Sequence, residues 1–169
     1  SLAGFQPHLF ILTPGQNGIL ERLITKELYN EALRHLVHFK ELFKDHFYIN
    51  LHRHQIALQE KVNEHLLSMA KMHYIKVVCS NQVSYLDKKD ALGLDLVNAS
   101  KLGATFDPTH QPITQEKYFK STSEMEALFE PEIINETIQL ILSIDAKIPM
   151  DELHLPKYPV PHNGSSQEY

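Results

Sequence analysis

The sequence predicts an α/β protein built on a parallel sheet, and two observations support this prediction. Short segments typical of strands occupy residues 8–13, 47–53 and 75–79, of which the first and last are apolar runs and the middle one alternates apolar and polar residues. Between them lie longer stretches in which apolar residues recur at helical spacing, as they do on the buried face of an amphipathic helix. Strands that alternate with helices favour parallel pairing through right-handed crossovers.

The first half of the chain supplies these strands and helices in order. The run "HLFILT" at 8–13 is closed by the turn-forming sequence "PGQNG". Residues 47–53 alternate between an apolar face and a polar face, and the polar face carries Tyr48, Asn50 and His52. Helices are predicted between the strands over residues 19–26, 29–43 and 58–72.

The second half is mostly helical and then extended. A helix is predicted over 87–101, followed by a loop that contains Pro108, His110 and Pro112. Ser121 and Glu124 have the spacing of a capping box, which predicts a short helix over 124–129. Pro131 suits the first turn of a further helix that reaches about Ile144. The proline-punctuated "LHLPKYPVP" predicts an extended end.

Composition narrows the classes of function. The chain has 169 residues and a formal net charge of −5, which argues against a chain-wide basic surface for nucleic acid. Its single cysteine, Cys79, excludes an internal disulfide and a multi-cysteine zinc site, and it fits a cytoplasmic protein. No apolar run reaches the roughly 20 residues of a membrane helix. A start without Met and the polar end "HNGSSQEY" suggest an excised fragment.

Few residues are candidates for chemistry. His52 and His54 stand two apart on a strand and could share a metal ion, although surface or loop-end histidines are the more ordinary interpretation. Gly15 and Gly18 lie where a phosphate-binding loop would, but they match no phosphate-binding motif and favour a simple turn. Cys79 ends an apolar strand and is expected to be a small buried hydrophobe.

Several segments together resemble one family. "FYINLHRH" at 47–54, residues 62–70, and "VCSNQVSYL" at 78–86 are similar, in order and spacing, to strand and helix motifs of the PHP (polymerase and histidinol phosphatase) domain of bacterial DNA polymerase III alpha subunits. "YFKSTSEMEALF", "NETIQLILSIDAKI" and "LHLPKYPVP" are similar to its later segments. The "LTPGQNG" loop favours the alpha subunits of low-GC Gram-positive bacteria.

The resemblance implies a fold and a division of the chain. The family's PHP domain is a distorted seven-stranded, TIM-like β/α barrel, of which residues 1–103 would supply the later β/α units. Residues 104–150 would form its helical extension, and 151–169 an extended linker toward a polymerase palm that lies outside this chain. A partial barrel leaves strand edges unpaired, so the isolated chain is expected to rearrange or to pair with another copy.

The resemblance also implies where metal ligands should be. Metal-binding members place an Asp and a His at the end of the last strand, where this chain has Gln82 and Ser84, and a Cys in the loop where it has Gly15. An amide, a hydroxyl and a bare backbone are poor substitutes for these ligands. No catalytic residue, metal or cofactor is therefore expected here, and His52 and His54 remain weak metal candidates.

The function implied is that of a fragment of a DNA-directed DNA polymerase used in replication. The PHP part would be a metal-free scaffold for the polymerase core or for a partner such as a proofreading exonuclease. The parent, a nucleotidyltransferase, would use Mg²⁺ and would contact DNA outside this chain. Two alternatives stay open: a residual PHP-class 3′–5′ exonuclease or phosphoesterase, and a stand-alone binding module.

Overall fold

Three parallel strands form one sheet in the order β1-β2-β3. The structure, a computed structural model, describes residues 8–103, 105, 107, 112 and 114–147. The strands are β1 (Ile11–Leu12), β2 (Phe47–Leu51) and β3 (Lys76–Cys79). Ile11 pairs with Phe47, and Tyr48 pairs with Lys76. The predicted parallel α/β architecture is confirmed, whereas a seven-stranded barrel is not formed by the described residues.

Six α-helices surround the sheet within the described residues, close to where the sequence predicts them. Two short 3₁₀ turns, Lys44–His46 and Lys88–Asp90, precede β2 and the fourth helix. The helices are α1 (Ile19–Thr25), α2 (Tyr29–Phe43), α3 (Ala57–Met72), α4 (Ala91–Lys101), α5 (Thr122–Leu128) and α6 (Pro131–Leu142). No helix in the described ranges has the length and apolar character needed to cross a membrane.

The strand β2 is buried on both faces, so the prediction of one exposed polar face is wrong. All five of its residues are buried. Phe47, Ile49 and Leu51 belong to the main core, which also contains residues of α1, α2 and α3. On the opposite face, Tyr48 packs in a second cluster with Val78 and Leu140. A central strand of a parallel sheet is typically covered on both sides, and that cover is supplied here by distant segments.

Helix α6 lies along the outer edge of β3. Neighbouring residues of a strand direct their amides to opposite sides, and the Ser80 amide donates to Leu51 O on the β2 side at 3.1 Å. The Cys79 amide therefore faces away from β2, where it donates to Thr137 Oγ1 at 3.0 Å. Lys76 Nζ pairs with Glu136 Oε1 at 2.6 Å beside it. At Cys79 the edge of β3 is thus not open.

The segment after residue 103 packs against the same core as the first part of the chain. Phe129 and Ile133 are buried in the main cluster. Tyr85 and Tyr118 form a parallel bridge that joins the two parts. The predicted boundaries after residues 103 and 150 stay predictions, and the linker 151–169, Pro108 and His110 lie outside the described residues.

Candidate functional site

Polar side chains from all three strands meet at the carboxyl end of the sheet, where parallel strands place their functional groups. Thr13 follows β1, and its hydroxyl accepts a hydrogen bond from the Asn50 amide at 3.0 Å. Asn50 Nδ2 in turn donates to Ser80 Oγ, just after β3, at 3.0 Å. A buried hydrogen-bond network therefore connects the ends of β1, β2 and β3.

His52 belongs to this network as a neutral acceptor. Its Nε2 lies 2.9 Å from Ser80 Oγ and 3.3 Å from Asn50 Nδ2. Because Asn50 Nδ2 can only donate, Nε2 accepts and the ring proton sits on Nδ1. Burial lowers the pKa of His52 to about 4, helped by the positive charge that His54 would carry in acid and by the charge of Lys117. The imidazole is uncharged at neutral pH.

His54 uses both ring nitrogens for bonds within the protein. Its Nε2 donates to Asn81 O at 3.1 Å, and its Nδ1 accepts from Gln59 Nε2 at 3.3 Å. The Gln59 side-chain oxygen also accepts from the His54 amide at 2.7 Å. Burial lowers the pKa of His54 as well. No lone pair of this ring is left for a metal ion.

The sequence predicted the two histidines on a strand, whereas both follow the end of β2 at Leu51. They lie at the start of the loop, as one of the alternatives expected, but they are buried rather than at the surface. His52 is 5% exposed and His54 is 1% exposed. Their rings stack with centroids 5.6 Å apart and an interplanar angle of 14°. Among the described residues, no group of three or more His, Cys, Asp or Glu side chains could hold a metal ion. The pair forms part of the core.

Gly15 lies directly against His52, although the two are far apart in sequence. Its φ of 80° favours glycine, and a Cβ placed there would lie 2.3 Å from His52 Nδ1. A cysteine at this position would collide with the ring. Gly18 is similarly confined, because an added Cβ would lie 1.9 Å from Glu21 Oε2. Both glycines serve a close-packed turn.

Gln82 and Ser84 do not join this cluster. Both are exposed, and Ser84 Oγ donates to the carbonyl of Gln82 at 3.3 Å. The inward-facing residue of this segment is Asn81, which is 8% exposed and donates through Nδ2 to Tyr118 O at 2.6 Å. The structure thus brings together Gly15, His52 and His54, and it leaves Gln82 and Ser84 outside.

Glu21 is a buried acid that sequence reasoning missed. It is 4% exposed, and neither carboxyl oxygen has a hydrogen-bond partner within the described part of the chain. Burial raises the pKa of Glu21, and nearby backbone amides and the Thr13 hydroxyl offset only part of that rise. An acidic residue in a first helical turn usually faces solvent, so the sequence carried no signal for it.

A cavity of about 330 Å³ opens beside this cluster, between α1 and α3. Its lining includes Gly15, Asn50 and His52 at the sheet and Gln59 and Asn63 on α3. The volume would accommodate a small ligand. The carboxyl of Glu21 also lines the cavity, but no hydrogen bond joins it to His52, so the described residues do not form an acid–base pair there.

A second buried polar cluster lies on the segment before α5. Glu116 accepts from Lys88 Nζ at 2.5 Å and from Lys120 Nζ at 3.0 Å. The side chains of Glu116 and Lys120 are only 6% and 2% exposed. Each buried charge therefore has a partner, as burial requires. The cluster holds this segment in place and contributes no group to the cavity.

Cys79 is buried and unreactive. Burial raises the pKa of its thiol, and the Thr137 hydroxyl lies 3.6 Å from the sulfur. A raised pKa keeps the thiol protonated and therefore a poor nucleophile. The prediction of a small buried hydrophobe is confirmed.

Comparison with known proteins points to one class, replicative DNA polymerases. DNA polymerase III subunit alpha of Borreliella burgdorferi is 30% identical over 149 residues, which cover 85% of this chain and 13% of that protein. The corresponding subunit of Treponema pallidum is 29% identical over 174 residues and matches 99% of this chain. The one from Bacillus subtilis is 21% identical over 171 residues. No protein-family model matches the chain.

The similarity covers most of this chain but little of each relative. The chain spans only 13% to 15% of the length of these relatives. That relation is consistent with a fragment of a DNA polymerase III alpha subunit. The low-GC Gram-positive type stays a prediction, and the subunits of Borreliella burgdorferi and Treponema pallidum are more similar to the chain than that of Bacillus subtilis.

Proposed function

We propose that the chain is the later part of a PHP domain in a DNA polymerase III alpha subunit and acts as a metal-free structural domain. The parent would extend DNA from deoxynucleoside triphosphates with Mg²⁺, in the cytoplasm, using residues outside this chain. The domain would support the polymerase core and present a surface to replisome proteins such as a proofreading exonuclease. DNA would be bound by the parent and not by this part alone.

The observation that carries the metal-free role is the state of the histidine pair. Both ring nitrogens of His54 are hydrogen-bonded, to Asn81 and to Gln59. His52 Nε2 accepts hydrogen bonds from Ser80 and Asn50. A metal ligand needs a free, correctly directed lone pair. The positions where the family resemblance expects further ligands support the same role, since Gly15 has no side chain and Gln82 and Ser84 are exposed.

Metal analysis of the full-length protein tests this proposal. After dialysis against trace Zn²⁺ and Mn²⁺, elemental analysis should find less than a stoichiometric amount of either metal. The purified protein should also show no metal-stimulated release of nucleotides from DNA 3′ ends. A His52→Ala, His54→Ala double variant should leave that near-zero rate unchanged while lowering thermal stability, because it removes two buried, hydrogen-bonded rings.

The opposite outcome would identify the alternative function. One bound Zn²⁺ or Mn²⁺ per protein, with a 3′–5′ exonuclease or phosphoesterase rate that the double variant abolishes, would contradict the metal-free role. Polymerase activity measured on the same samples controls for misfolding. A reading frame that ends near Tyr169 would instead favour a stand-alone binding module.

A further inference from the structure

One apolar side of helix α6 is buried against the rest of the protein. Ile133 is 8% exposed and belongs to the main core, and Leu140 is 6% exposed and packs with Tyr48. Thr137 lies between them on the helix, and its hydroxyl accepts a hydrogen bond from the Cys79 amide. This inner side fixes α6 to β3.

The C-terminal half of the same helix carries a second apolar side that the described residues leave uncovered. One turn earlier on that side, Ile134 is partly buried against the main core. Ile138 is 46% exposed, Ile141 is 62% exposed and Leu142 is 73% exposed. These three residues are spaced three and four apart and therefore lie on one face. We call them the outer stripe of α6.

The two sides together make α6 apolar over most of its circumference. At roughly 100° per residue, the polar residues of the helix other than Thr137, together with its C-cap residue, fall within an arc of about 100°. The residues in this polar arc are Glu132, Asn135, Glu136, Gln139 and Ser143. The rest of the helix circumference is apolar apart from Thr137. A helix with this distribution is normally buried on two sides, whereas a surface helix is apolar on one. Adjacent exposed isoleucine and leucine side chains mark an interaction surface.

The length of the relatives indicates what covers the stripe. The matching region is only 13% to 15% of each relative, so most of such a polypeptide lies outside this chain. We infer that an apolar segment of the same polypeptide, from outside residues 1–169, docks on the outer stripe of α6. This inference rests on the proposed function, and it identifies the surface through which the domain would support the polymerase core.

Cysteine labelling of the full-length protein tests the inference. Ile141→Cys places a thiol on the outer stripe, and Gln139→Cys places one on the exposed polar arc of the same helix. Maleimide labelling of each peptide, followed by mass spectrometry, should be at least tenfold slower for Ile141→Cys. Leu142→Cys repeats the measurement at a second stripe position if the first variant is poorly folded. Equal labelling rates at 139 and 141 would overturn the inference.

Two double variants that add the same charge give a second measurement. The double variant Ile138→Glu, Ile141→Glu should lower the unfolding temperature of the full-length protein and speed proteolysis near α6. Asn135→Glu with Gln139→Glu adds the same two charges on the polar arc and should change neither. Identical behaviour of the two pairs would count against docking.

Two further outcomes separate this inference from its rivals. Protection of Ile141→Cys that disappears on dilution into monomer would assign the stripe to a second copy of the chain and overturn the inference. Bound Zn²⁺ or Mn²⁺ with exonuclease activity would refute the metal-free function while leaving slow labelling intact. The failure of one proposal is therefore distinguishable from the failure of the other.

Discussion

His52 and His54 are uncharged parts of the core, and this sets how the protein responds to acid. Folding lowers the pKa of His52 from 6.5 to about 4, with burial as the main cause, and burial lowers that of His54 too. Below pH 6.5 the unfolded chain therefore binds protons that the folded chain does not. Their contribution to stability is complete above that pH and is lost as the pH falls.

As the pH falls from about 6.5 to 4, the free energy of unfolding should decrease, because these two histidines bind protons more readily in the unfolded chain. Each can contribute at most about 1.4 kcal/mol per pH unit. Urea unfolding at several pH values measures the effect. In a His52→Gln, His54→Gln variant, which is less stable at neutral pH, the slope over this range should be clearly smaller. An unchanged slope would show that other groups cause the acid sensitivity.

Gly15 is the position at which a single methyl group should be most damaging. Gly15→Ala forces a side chain into a φ of 80° and against the His52 ring. We expect a loss of about 2–4 kcal/mol in the free energy of unfolding, because strain and overpacking combine. Chemical denaturation measures it.

Gly93 in α4 provides the matched control for that substitution. No atom lies within 4 Å of a Cβ added there. Gly93→Ala should therefore stabilise the protein by roughly 0.5–1 kcal/mol through helix propensity. Equal effects at the two glycines would contradict the close packing of Gly15 on His52.

At the scale of single residues, the sequence predicted the burial of Cys79 but not that of the histidines. The buried character of Cys79 follows from its residue type and from the apolar strand that precedes it. The burial of His52 and His54 does not, because it depends on Gly15, Ser80 and Asn81 in distant segments. Glu21 was missed for the same reason.

At the scale of elements, the capping box before α5 is a local signal that the structure confirms. The Ser121 hydroxyl accepts from the Glu124 amide, and the Glu124 carboxylate accepts from the Ser121 amide at 2.8 Å. Ser121→Ala should cost about 1 kcal/mol of stability. Ser68→Ala, at an exposed site within α3, is the control and should be neutral or slightly stabilising. Thermal unfolding compares the two variants.

Local pattern also predicted most element bounds, and some of the exceptions have physical causes. The 29–43 helix was placed correctly because its periodicity and length are both strong. The first strand is only two residues long, because it begins at Ile11 rather than at residue 8 and ends before Pro14 and the turn at Gly15. Nothing in the structure explains the late start. The buried polar face of β2 could not be read from alternation, because α6 supplies part of the cover from about 90 residues away in sequence.

At the scale of the whole molecule, net charge governs encounters with nucleic acid. A chain with a formal charge of −5 repels the phosphate backbone at long range. The chain alone should give no gel shift with single- or double-stranded DNA at about 0.15 M salt. A salt-sensitive shift at micromolar protein would contradict this prediction and indicate a local basic patch.

The overall architecture could be predicted only in part. Alternating strand and helix signals suffice for a parallel α/β sheet, and the structure confirms it. Closure into a seven-stranded barrel would need more strands than the three that the described residues form, and no local pattern in the sequence specifies such a closure. The seven-stranded barrel therefore remains a prediction that a structure of the full-length protein would test.

The contact between Gly15 and His52 links two positions that a sequence alone would treat as independent. With the Nδ1 atom of His52 in the space a Cβ would need, residue 15 can gain a side chain only if the side chain of residue 52 moves or is replaced. Evolutionary change at either position should therefore be coupled. Among homologues aligned to this chain, a cysteine at position 15 should occur together with a residue other than histidine at position 52.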